Sequence, residues 1–285
     1  MRLGTIVRHG AVFAGATILT LLGCKKEEPE TPPSREAVAL AVRMIGRVHK
    51  KPGYAYPLPY RLFIPDGYDR TKRYPLILYL HGSSPRGTDN VRQLADVVRL
   101  VSPTIQSIEP SFVLAPQCPK GEQWVNGARS APYTNYVQAN VPETDAEKQT
   151  FEIVSDVVAE YNIDKARIYI TGFSMGGSGT WDYITRHPGV FAAAMPISGV
   201  NDPSRAAAIA ALPIWAFHGA LDDVCPAGNT RAMVAALRKL GSPIKYTEVP
   251  NTGHACDFAA FDNPEVLRWM FAQRLAPTAE SAASR

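Results

Sequence analysis

Alternating apolar runs and helical segments constrain the fold of this chain more than any other feature. Near-continuous apolar runs, such as YPLILYLHG (74–82) and SFVLAPQ (111–117), indicate strands that are buried on both faces. Segments with helical periodicity separate the later runs, at about 146–161, 177–187, 227–240 and 264–275. Because parallel strands need crossover connections, this order predicts an α/β fold with a mainly parallel sheet covered by helices on both faces.

The ends of the chain set the predicted domain boundaries. Residues 1–23 read as a signal peptide, because Arg2 and Arg8 precede an apolar run (11–22) that is too short to span a bilayer comfortably. Residues 24–35 are charged and proline-rich, which predicts a flexible tether, and residues 277–285 form a polar tail that we expect to be disordered. One domain, residues 36–276, remains between them, which is long enough for one sizeable core.

The end of the signal segment carries a motif of its own. Leu21-Leu22-Gly23-Cys24 resembles the lipobox of bacterial lipoproteins, which implies cleavage before Cys24 and lipid attachment to that cysteine. Lys25 follows instead of an aspartate, which favours the outer membrane in a cell with two membranes. The implied location is the bacterial cell envelope, facing the periplasm or the exterior. An ordinary secretory signal with an incidental Cys24 is the alternative.

Charge and cysteine content limit the kinds of partner and metal site that we expect for this chain. The net charge of +4 falls to about +2 without the signal segment, and no basic run suggests nucleic acid. If Cys24 carries lipid, Cys118, Cys225 and Cys256 remain, and their spacing does not resemble a zinc site. We therefore expect no metal site and no nucleic acid partner, and membrane contact only through the lipid anchor. We also expect a monomer.

A serine among glycines follows one of the apolar runs. Gly172-Phe173-Ser174-Met175-Gly176 matches G-x-S-x-G between a predicted strand and a predicted helix, the context in which the serine is a nucleophile on a strained turn. Glycines two residues before and after the serine leave space for that turn. The alternative is a glycine-rich turn without chemistry. A nucleophilic serine needs a base and an acid from elsewhere in the chain.

Candidates for both groups follow Ser174 in the order serine, acid, histidine. His254 lies after the last predicted strand, and the adjacent Asp222 and Asp223 lie after the preceding strand. His187, at a helix end, and His49, before the first clear strand, fit less well. Since ligands bind beyond the carboxyl ends of parallel strands, these loops should converge at one edge of the sheet.

Two backbone N–H groups are expected to stabilise a developing oxyanion. One is the N–H of Met175, directly after the nucleophile, and the other is the N–H of Ser83, in the loop LHGSSPRGTDN after an early strand. In the same loop, we expect the imidazole of His81 to brace the backbone and not to transfer protons.

Four segments carry a resemblance to a known family. LILYLHGSSPRGTDN, VLAPQCPKGEQW, YNIDKARIYITGFSMGGSGTWDYITRHPGVFAAAMPISG and PIWAFHGALDDVCP resemble the secreted esterase and predicted-peptidase group of the α/β-hydrolase superfamily. That group is related to phospholipase/carboxylesterases, feruloyl esterases and polyhydroxybutyrate depolymerases. The resemblance covers essentially residues 57–275. The family pattern HGxxDxxVP places the acid at Asp222, which leaves Asp223 solvated or shaping the turn. Ser83-Ser84-Pro85 departs from the smaller residues that relatives often carry.

The resemblance implies an α/β-hydrolase fold and hydrolysis of carboxylic esters through an acyl-enzyme on Ser174, without a cofactor. The substrate would be an ester of a small molecule or a polysaccharide. A serine peptidase and a non-catalytic binding protein are the alternatives. Lid-like segments between Gly121 and Glu147 are expected to shape the pocket. In this region Trp124 is a candidate wall for an aromatic or sugar substrate, or else a packed loop tryptophan.

A disulfide is predicted between Cys225 and Cys256. Cys225 lies three residues beyond Asp222 and Cys256 two beyond His254, so their loops should be neighbours if the acid and the base hydrogen-bond. The bond would close a loop of about 30 residues, worth roughly 3 to 4 kcal/mol in the chain-entropy model. Cys118 would then be free and buried. Three unpaired cysteines are the alternative.

Overall fold

The structure, a computed structural model, describes Met1 and residues 32–275. The predicted signal peptide beyond Met1, the lipid attachment at Cys24, most of the tether and the tail at 277–285 lie outside the described residues. Within residues 32–275, helices that combine the length and the apolar character needed to cross a membrane are absent.

One sheet contains the eight strands of the described residues, with helices between most of them. The strands are β1 (Ile45–His49), β2 (Leu58–Phe63), β3 (Tyr74–Leu80), β4 (Phe112–Pro116), β5 (Ile163–Phe173), β6 (Ala193–Ile197), β7 (Trp215–Gly219) and β8 (Lys245–Val249). The α-helices are α1 (Arg35–Arg43), α2 (Val97–Leu100), α3 (Pro103–Ile108), α4 (Asp145–Glu160), α5 (Met175–Arg186), α6 (Gly228–Lys239), α7 (Phe258–Phe261) and α8 (Pro264–Phe271). Short 3₁₀ helices lie at Arg92–Leu94, Gln138–Asn140 and Pro203–Ile209.

The sheet is mainly parallel, as the alternating pattern predicts. Its strand order is β1-β2-β4-β3-β5-β6-β7-β8. β2 is antiparallel to both of its neighbours, β1 and β4, and the pairs from β4 through β8 are parallel. This arrangement confirms the predicted fold class.

Alternate residues of the central strands pack into two separate cores. On β3, Leu76, Leu78 and Leu80 face a cluster that contains buried residues of α4, α5 and α6. Ile77 and Tyr79 face the opposite cluster, which contains buried residues of α1, α2, α3 and α8. Because both faces of β3 are covered, its sequence is continuously apolar and does not alternate.

The helix α1 and the strand β1 were missed by the sequence pattern. α1 begins at Arg35, where the tether was expected to end, and the Oγ of Ser34 caps it by accepting a hydrogen bond from the N–H of Ala37 at 3.1 Å. β1 is an edge strand with mostly exposed residues, so it lacks the apolar run that identifies the inner strands. Its antiparallel pairing with β2 defines it instead.

Candidate active site

Four loops at the carboxyl edge of the sheet form the candidate site. They follow β3, β5, β7 and β8, and they carry Ser83, Ser174, Asp222 and His254, respectively. Ligands of parallel sheets bind at this edge because the strand ends leave a crevice there. These loops therefore meet at one edge of the sheet, as their positions after the strands predict.

Ser174 occupies a strained turn between β5 and α5. Its φ of 57° and ψ of −115° lie in a region that residues other than glycine rarely adopt, and its N–H donates to the carbonyl of Ile197 at 2.9 Å. A Cβ at Gly172 would lie 2.5 Å from the carbonyl oxygen of Leu80, and one at Gly176 would lie 1.8 Å from it. The expectation that both positions must lack a side chain is therefore confirmed.

A chain of two hydrogen bonds joins the serine to a carboxylate. The Oγ of Ser174 lies 2.7 Å from Nε2 of His254, and Nδ1 of the same ring lies 2.7 Å from Oδ2 of Asp222. A carboxylate only accepts, so Nδ1 carries the proton and Nε2 is left to accept from the serine hydroxyl. Asp223 is exposed, whereas the side chain of Asp222 is fully buried. The structure thus brings Asp222 to His254, as the family pattern placed it.

The carboxylate of Asp222 is held in its charged form. Burial alone would raise its pKa, but hydrogen bonds from His218, His254 and the N–H of Cys225 together hold that pKa well below the usual value. Its Oδ1 accepts from the N–H groups of Val224 at 3.0 Å and Cys225 at 2.8 Å. A charged acid can orient the base and stabilise its cationic form.

A second histidine, His218, contacts the same carboxylate, and the sequence pattern did not identify it. His218 is fully buried, and its Nε2 lies 3.1 Å from Oδ2 of Asp222 and 2.6 Å from the carbonyl oxygen of Cys225. Both partners accept, so Nε2 carries a proton, and Nδ1 lies 2.8 Å from the hydroxyl of Thr230. The four-residue spacing from His218 to Asp222 was the available signal.

Backbone contacts hold the acid loop against the histidine loop. The N–H of Leu221 donates to the carbonyl of Thr252 at 2.9 Å. A Cβ at Gly219 would lie 1.9 Å from the carbonyl oxygen of Gly253, so the two loops approach as closely as a glycine permits. The distance between Asp222 and His254 is therefore set by the backbone as well as by the side chains.

The two predicted oxyanion donors lie beside the serine. Met175 is the first residue of α5, where N–H groups have no acceptor within the helix. Ser83 lines two cavities together with Ser174, and a Cβ at the preceding Gly82 would lie 3.6 Å from the Cβ of Ser174. Both residues are thus placed where backbone donors could face an oxyanion formed at Ser174.

His81 has the contacts of a bracing side chain. Its ring is fully buried, Nε2 accepts from the N–H of Cys118 at 2.9 Å, and Nδ1 lies 2.6 Å from the carbonyl oxygen of Gly82. Burial lowers the pKa of His81 to about 4, so the ring stays neutral near pH 7. It therefore fixes the start of the loop that carries Ser83.

Trp124 is a packed tryptophan, so its suggested role as a wall for substrate is corrected. Its side chain is fully buried, its Nε1 donates to the carbonyl of His81 at 2.9 Å, and its ring meets the ring of His81 edge-on. A Cβ at Gly179, on α5, would lie 2.8 Å from the Cβ of Trp124. Trp124 thus packs between α5 and the loop after β3, and it supports that loop.

The predicted disulfide between Cys225 and Cys256 is not formed. All three cysteines of residues 32–275 are free and buried. The two thiols lie in different surroundings. Cys225 lines a cavity at Ser174, whereas Cys256 packs in the core cluster that contains α8, with its Sγ 3.2 Å from the Oγ of Ser198. Neighbouring loops therefore did not bring the two sulfur atoms together.

Two cavities of different size meet at Ser174. The larger one, about 360 Å³, has among its lining residues Ser84, Pro85, Phe173, Val224 and His254. The smaller one, about 30 Å³, has among its lining residues Met175, Ser178, Val200 and Cys225. Ser83, Tyr133 and Ser174 line both. Tyr133 belongs to the segment at 121–147 that was expected to shape the pocket.

In the described part of the chain, clusters of three or more His, Cys, Asp or Glu side chains suited to a metal ion are absent.

A family model and two curated relatives match the sequence. Residues 57–262 match the family Esterase, described as "Putative esterase". The chain is 41% identical over 75 residues to an esterase, LipQ, from Mycobacterium tuberculosis, a match that covers 26% of this chain and 16% of that protein. It is 40% identical over 73 residues to a bifunctional acetylxylan esterase/xylanase from Neocallimastix patriciarum, covering 26% of this chain and 11% of that protein.

Solved structures share the fold. A thermostable esterase superposes with a TM-score of 0.75 at 36% identity, over 83% of this chain and 64% of that chain. The feruloyl esterase module from Clostridium thermocellum superposes with a TM-score of 0.60 at 16% identity, over 87% of this chain and 93% of that one. The chain thus spans less than a fifth of the two curated relatives and about two thirds of the thermostable esterase.

Proposed function

Because the chain belongs to the Esterase family, as its sequence resemblance predicts, we propose that it hydrolyses carboxylic esters through an acyl-enzyme on Ser174. The observation that carries the proposal is the continuous hydrogen-bonded chain from the Ser174 hydroxyl through His254 to Asp222, with 2.7 Å at each step. Such a chain raises the nucleophilicity of a serine hydroxyl, which is otherwise a poor nucleophile.

The first step transfers the acyl group to the enzyme. The Oγ of Ser174 bonds to the ester carbonyl carbon while its proton moves to Nε2 of His254. When the intermediate collapses, the bond between that carbon and the alcohol oxygen breaks, and the alcohol leaves with the proton from Nε2. Asp222 stays ionised throughout and stabilises the imidazolium, which agrees with the hydrogen bonds that lower its pKa.

The second step restores the enzyme. A water molecule takes the place of the alcohol, gives a proton to His254 and attacks the acyl carbon, and the carboxylic acid leaves as Ser174 regains its proton. In both steps the negative carbonyl oxygen would accept hydrogen bonds from the N–H groups of Met175 and Ser83. Donors of this kind are typically worth a factor of about 10² to 10³ each in kcat.

The name of one relative and the volume of the larger cavity support a substrate class. The Neocallimastix relative is named as an acetylxylan esterase, and the larger cavity at Ser174, about 360 Å³, has room for more than a small alcohol. We therefore assign the substrate to esters of small molecules or of polysaccharides.

The N-terminal sequence adds a proposal about location. Leu21-Leu22-Gly23-Cys24 supports lipid attachment at Cys24 and anchoring in the cell envelope, and the charged segment after it supports a tether. Mass spectrometry of the N-terminal peptide from a bacterial membrane fraction tests this. Diacylglyceryl-modified Cys24 is the expected result, and an unmodified Cys24 or a different cleavage site contradicts it.

The catalytic proposal is tested with Ser174→Ala against p-nitrophenyl acetate. Loss of the triad serine typically costs about 10⁶ in kcat, so turnover should fall to background, and labelling of the enzyme by a fluorophosphonate should disappear. Ser155→Ala is the matched control, because Ser155 lies on the exposed side of α4 and its hydroxyl donates to the carbonyl of Phe151 in its own helix. Full turnover by a folded Ser174→Ala protein would overturn the proposal.

A further inference from the structure

The larger cavity at Ser174 has a carboxylate in its wall that the triad does not use. Asp96, the residue directly before α2, lines this cavity together with Ser174 and His254. Within the described part of the chain, Asp96 is the only aspartate, glutamate, lysine or arginine among the lining residues. A substrate group that fills the cavity therefore meets one carboxylate besides the catalytic side chains.

Two protein donors hold the carboxylate of Asp96 in place. The hydroxyl of Tyr79, on β3, donates to Oδ2 at 2.5 Å, and the guanidinium of Arg99, on α2, donates to Oδ1 at 2.7 Å. Tyr79 is fully buried, so a swing of Asp96 away from it would leave a buried hydroxyl without a partner, which is costly. The carboxylate is therefore a fixed part of the cavity wall.

Asp96 can accept further hydrogen bonds. An ionised carboxylate has about four lone-pair sites on its two oxygens, and Tyr79 and Arg99 occupy one site on each oxygen. The side chain of Asp96 is 23% exposed, whereas Tyr79 is fully buried, so the free sites lie on the side that is open to the cavity. Because a carboxylate only accepts, a substrate group that binds there must be a hydrogen-bond donor.

The charges around Asp96 restrict the kind of group that fits. Arg99 also contacts Asp257 and Asp262, the latter at 3.6 Å, so one guanidinium faces three carboxylates. An acidic group of a substrate would be repelled there, and an apolar group would cover the free oxygens without replacing their hydrogen bonds to water. Arg99 is already the positive partner of Asp96, so the donor that remains to be supplied is a neutral one, a hydroxyl group.

We propose that Asp96 is a specificity-determining residue, whose carboxylate accepts a hydrogen bond from a hydroxyl group on the alcohol half of the ester. This inference rests on the proposed function, in which Nε2 of His254 gives its proton to the alcohol oxygen. His254 lines the larger cavity but not the smaller one, so the alcohol half leaves Ser174 on the side of Asp96. A site with such an acceptor discriminates against an analogue that lacks the hydroxyl.

The test measures kcat/KM for two acetate esters with six-membered rings, 6-O-acetylglucose and cyclohexylmethyl acetate, by titration of the released acid. The sugar ring carries hydroxyl groups where the cyclohexyl ring carries hydrogen atoms. Asp96→Leu, which removes the acceptor, should lower the ratio of the two values, sugar ester over cyclohexyl ester, by about 10-fold or more. Asp96→Asn keeps one acceptor oxygen and should lower the ratio by about threefold or more, so it carries the test if Asp96→Leu does not fold.

The matched control is Asp262→Asn. It removes another carboxylate from Arg99, but Asp262 is 56% exposed and lines neither cavity at Ser174, so the ratio should stay at the wild-type value. Asp96 variants with the wild-type ratio would overturn the role of Asp96 and leave ester hydrolysis intact. So would a wild type that hydrolyses p-nitrophenyl acetate but not 6-O-acetylglucose. Absence of turnover of all three esters by the wild type would overturn the proposed function together with this inference.

Discussion

His218 and His254 share one oxygen of Asp222: Oδ2 lies 3.1 Å from Nε2 of His218 and 2.7 Å from Nδ1 of His254. His218 is fully buried, and its Nε2 also donates to the carbonyl of Cys225, so the ring sits between the carboxylate and the turn that follows it. This places His218 as a positioning residue for the acid.

Replacing His218 should lower kcat more than it changes KM. A hydrogen bond to a charged group contributes about 1.5 to 3 kcal/mol, so His218→Leu should reduce kcat by about 10- to 150-fold. His218→Gln keeps a donor and should recover part of this loss. Thr150→Val, which removes a buried hydroxyl that donates to the carbonyl of Ala146 in α4, is the control. The positioning role would be wrong if His218→Leu and Thr150→Val had the same kcat.

Substitutions of the two adjacent aspartates should differ sharply in their effect on kcat. Asp222→Asn leaves the shape of the site but cannot hold the required tautomer of His254, and in a comparable triad this change lowers kcat by about 10⁴. Asp223 is exposed, so Asp223→Asn should stay within about threefold of wild type. Steady-state kinetics on p-nitrophenyl acetate measures both. The reverse order of activities would place the acid at Asp223.

Gly176→Ala should prevent the turn at Ser174 from forming. Its methyl group would lie 1.8 Å from the backbone oxygen of Leu80, a contact that only a backbone shift can relieve. We expect a loss of at least about 3 kcal/mol in the free energy of unfolding, measured by urea denaturation. Gly228→Ala, in the first turn of α6, meets nothing within 4 Å and should be neutral or slightly stabilising. Equal stability of the two variants would contradict the close approach at Gly176.

His81 should make the protein lose stability in mild acid. Its pKa is about 4 in the folded protein and about 6.5 in an unfolded chain, so the unfolded state binds the proton more readily. The neutral ring stabilises the fold fully above pH 6.5, and this contribution is lost as the pH falls toward 4. Between pH 7.5 and pH 4.5 the loss should be about 2 to 3 kcal/mol.

His81→Gln provides the comparison, because it cannot titrate and its amide can still accept from the N–H of Cys118. The free energy of unfolding of wild type and variant is measured at both pH values, and the difference between the two changes isolates His81. Parallel pH dependence of the two proteins would show that His81 is not held neutral by burial.

Cys225 and Cys256 should both be free thiols. In unfolded protein that has not been reduced, an alkylating reagent should modify Cys225 and Cys256 completely, as peptide mapping would show. In the folded protein both should react slowly, because they are buried and burial raises the pKa of Cys225 to about 12 and that of Cys256 to about 11. Recovery of a disulfide-linked peptide pair would contradict the structure.

Local pattern predicted where the inner strands lie along the chain, the turn at Ser174 and the chain order of serine, acid and histidine. Each of these depends on neighbours in the chain: continuous apolar runs mark strands covered on both faces, and Gly172 and Gly176 admit a turn that a Cβ would block. The family pattern added the choice of Asp222 over Asp223. The helix α1 was missed although its buried Ala37, Leu40 and Ala41 follow helical spacing, because it is short and directly follows the charged segment. The strand β1 was missed because most of its residues are exposed.

Tertiary structure decided what depends on distance between loops. Trp124 is buried behind His81 through packing that no local pattern records. Cys225 and Cys256 lie on neighbouring loops, yet one side chain faces a cavity and the other the core, so their loops are close while their sulfur atoms are not joined. The direction in which a side chain leaves a loop is set by backbone angles and by the groups that pack around it, and these exist only once the sheet and its helices have assembled.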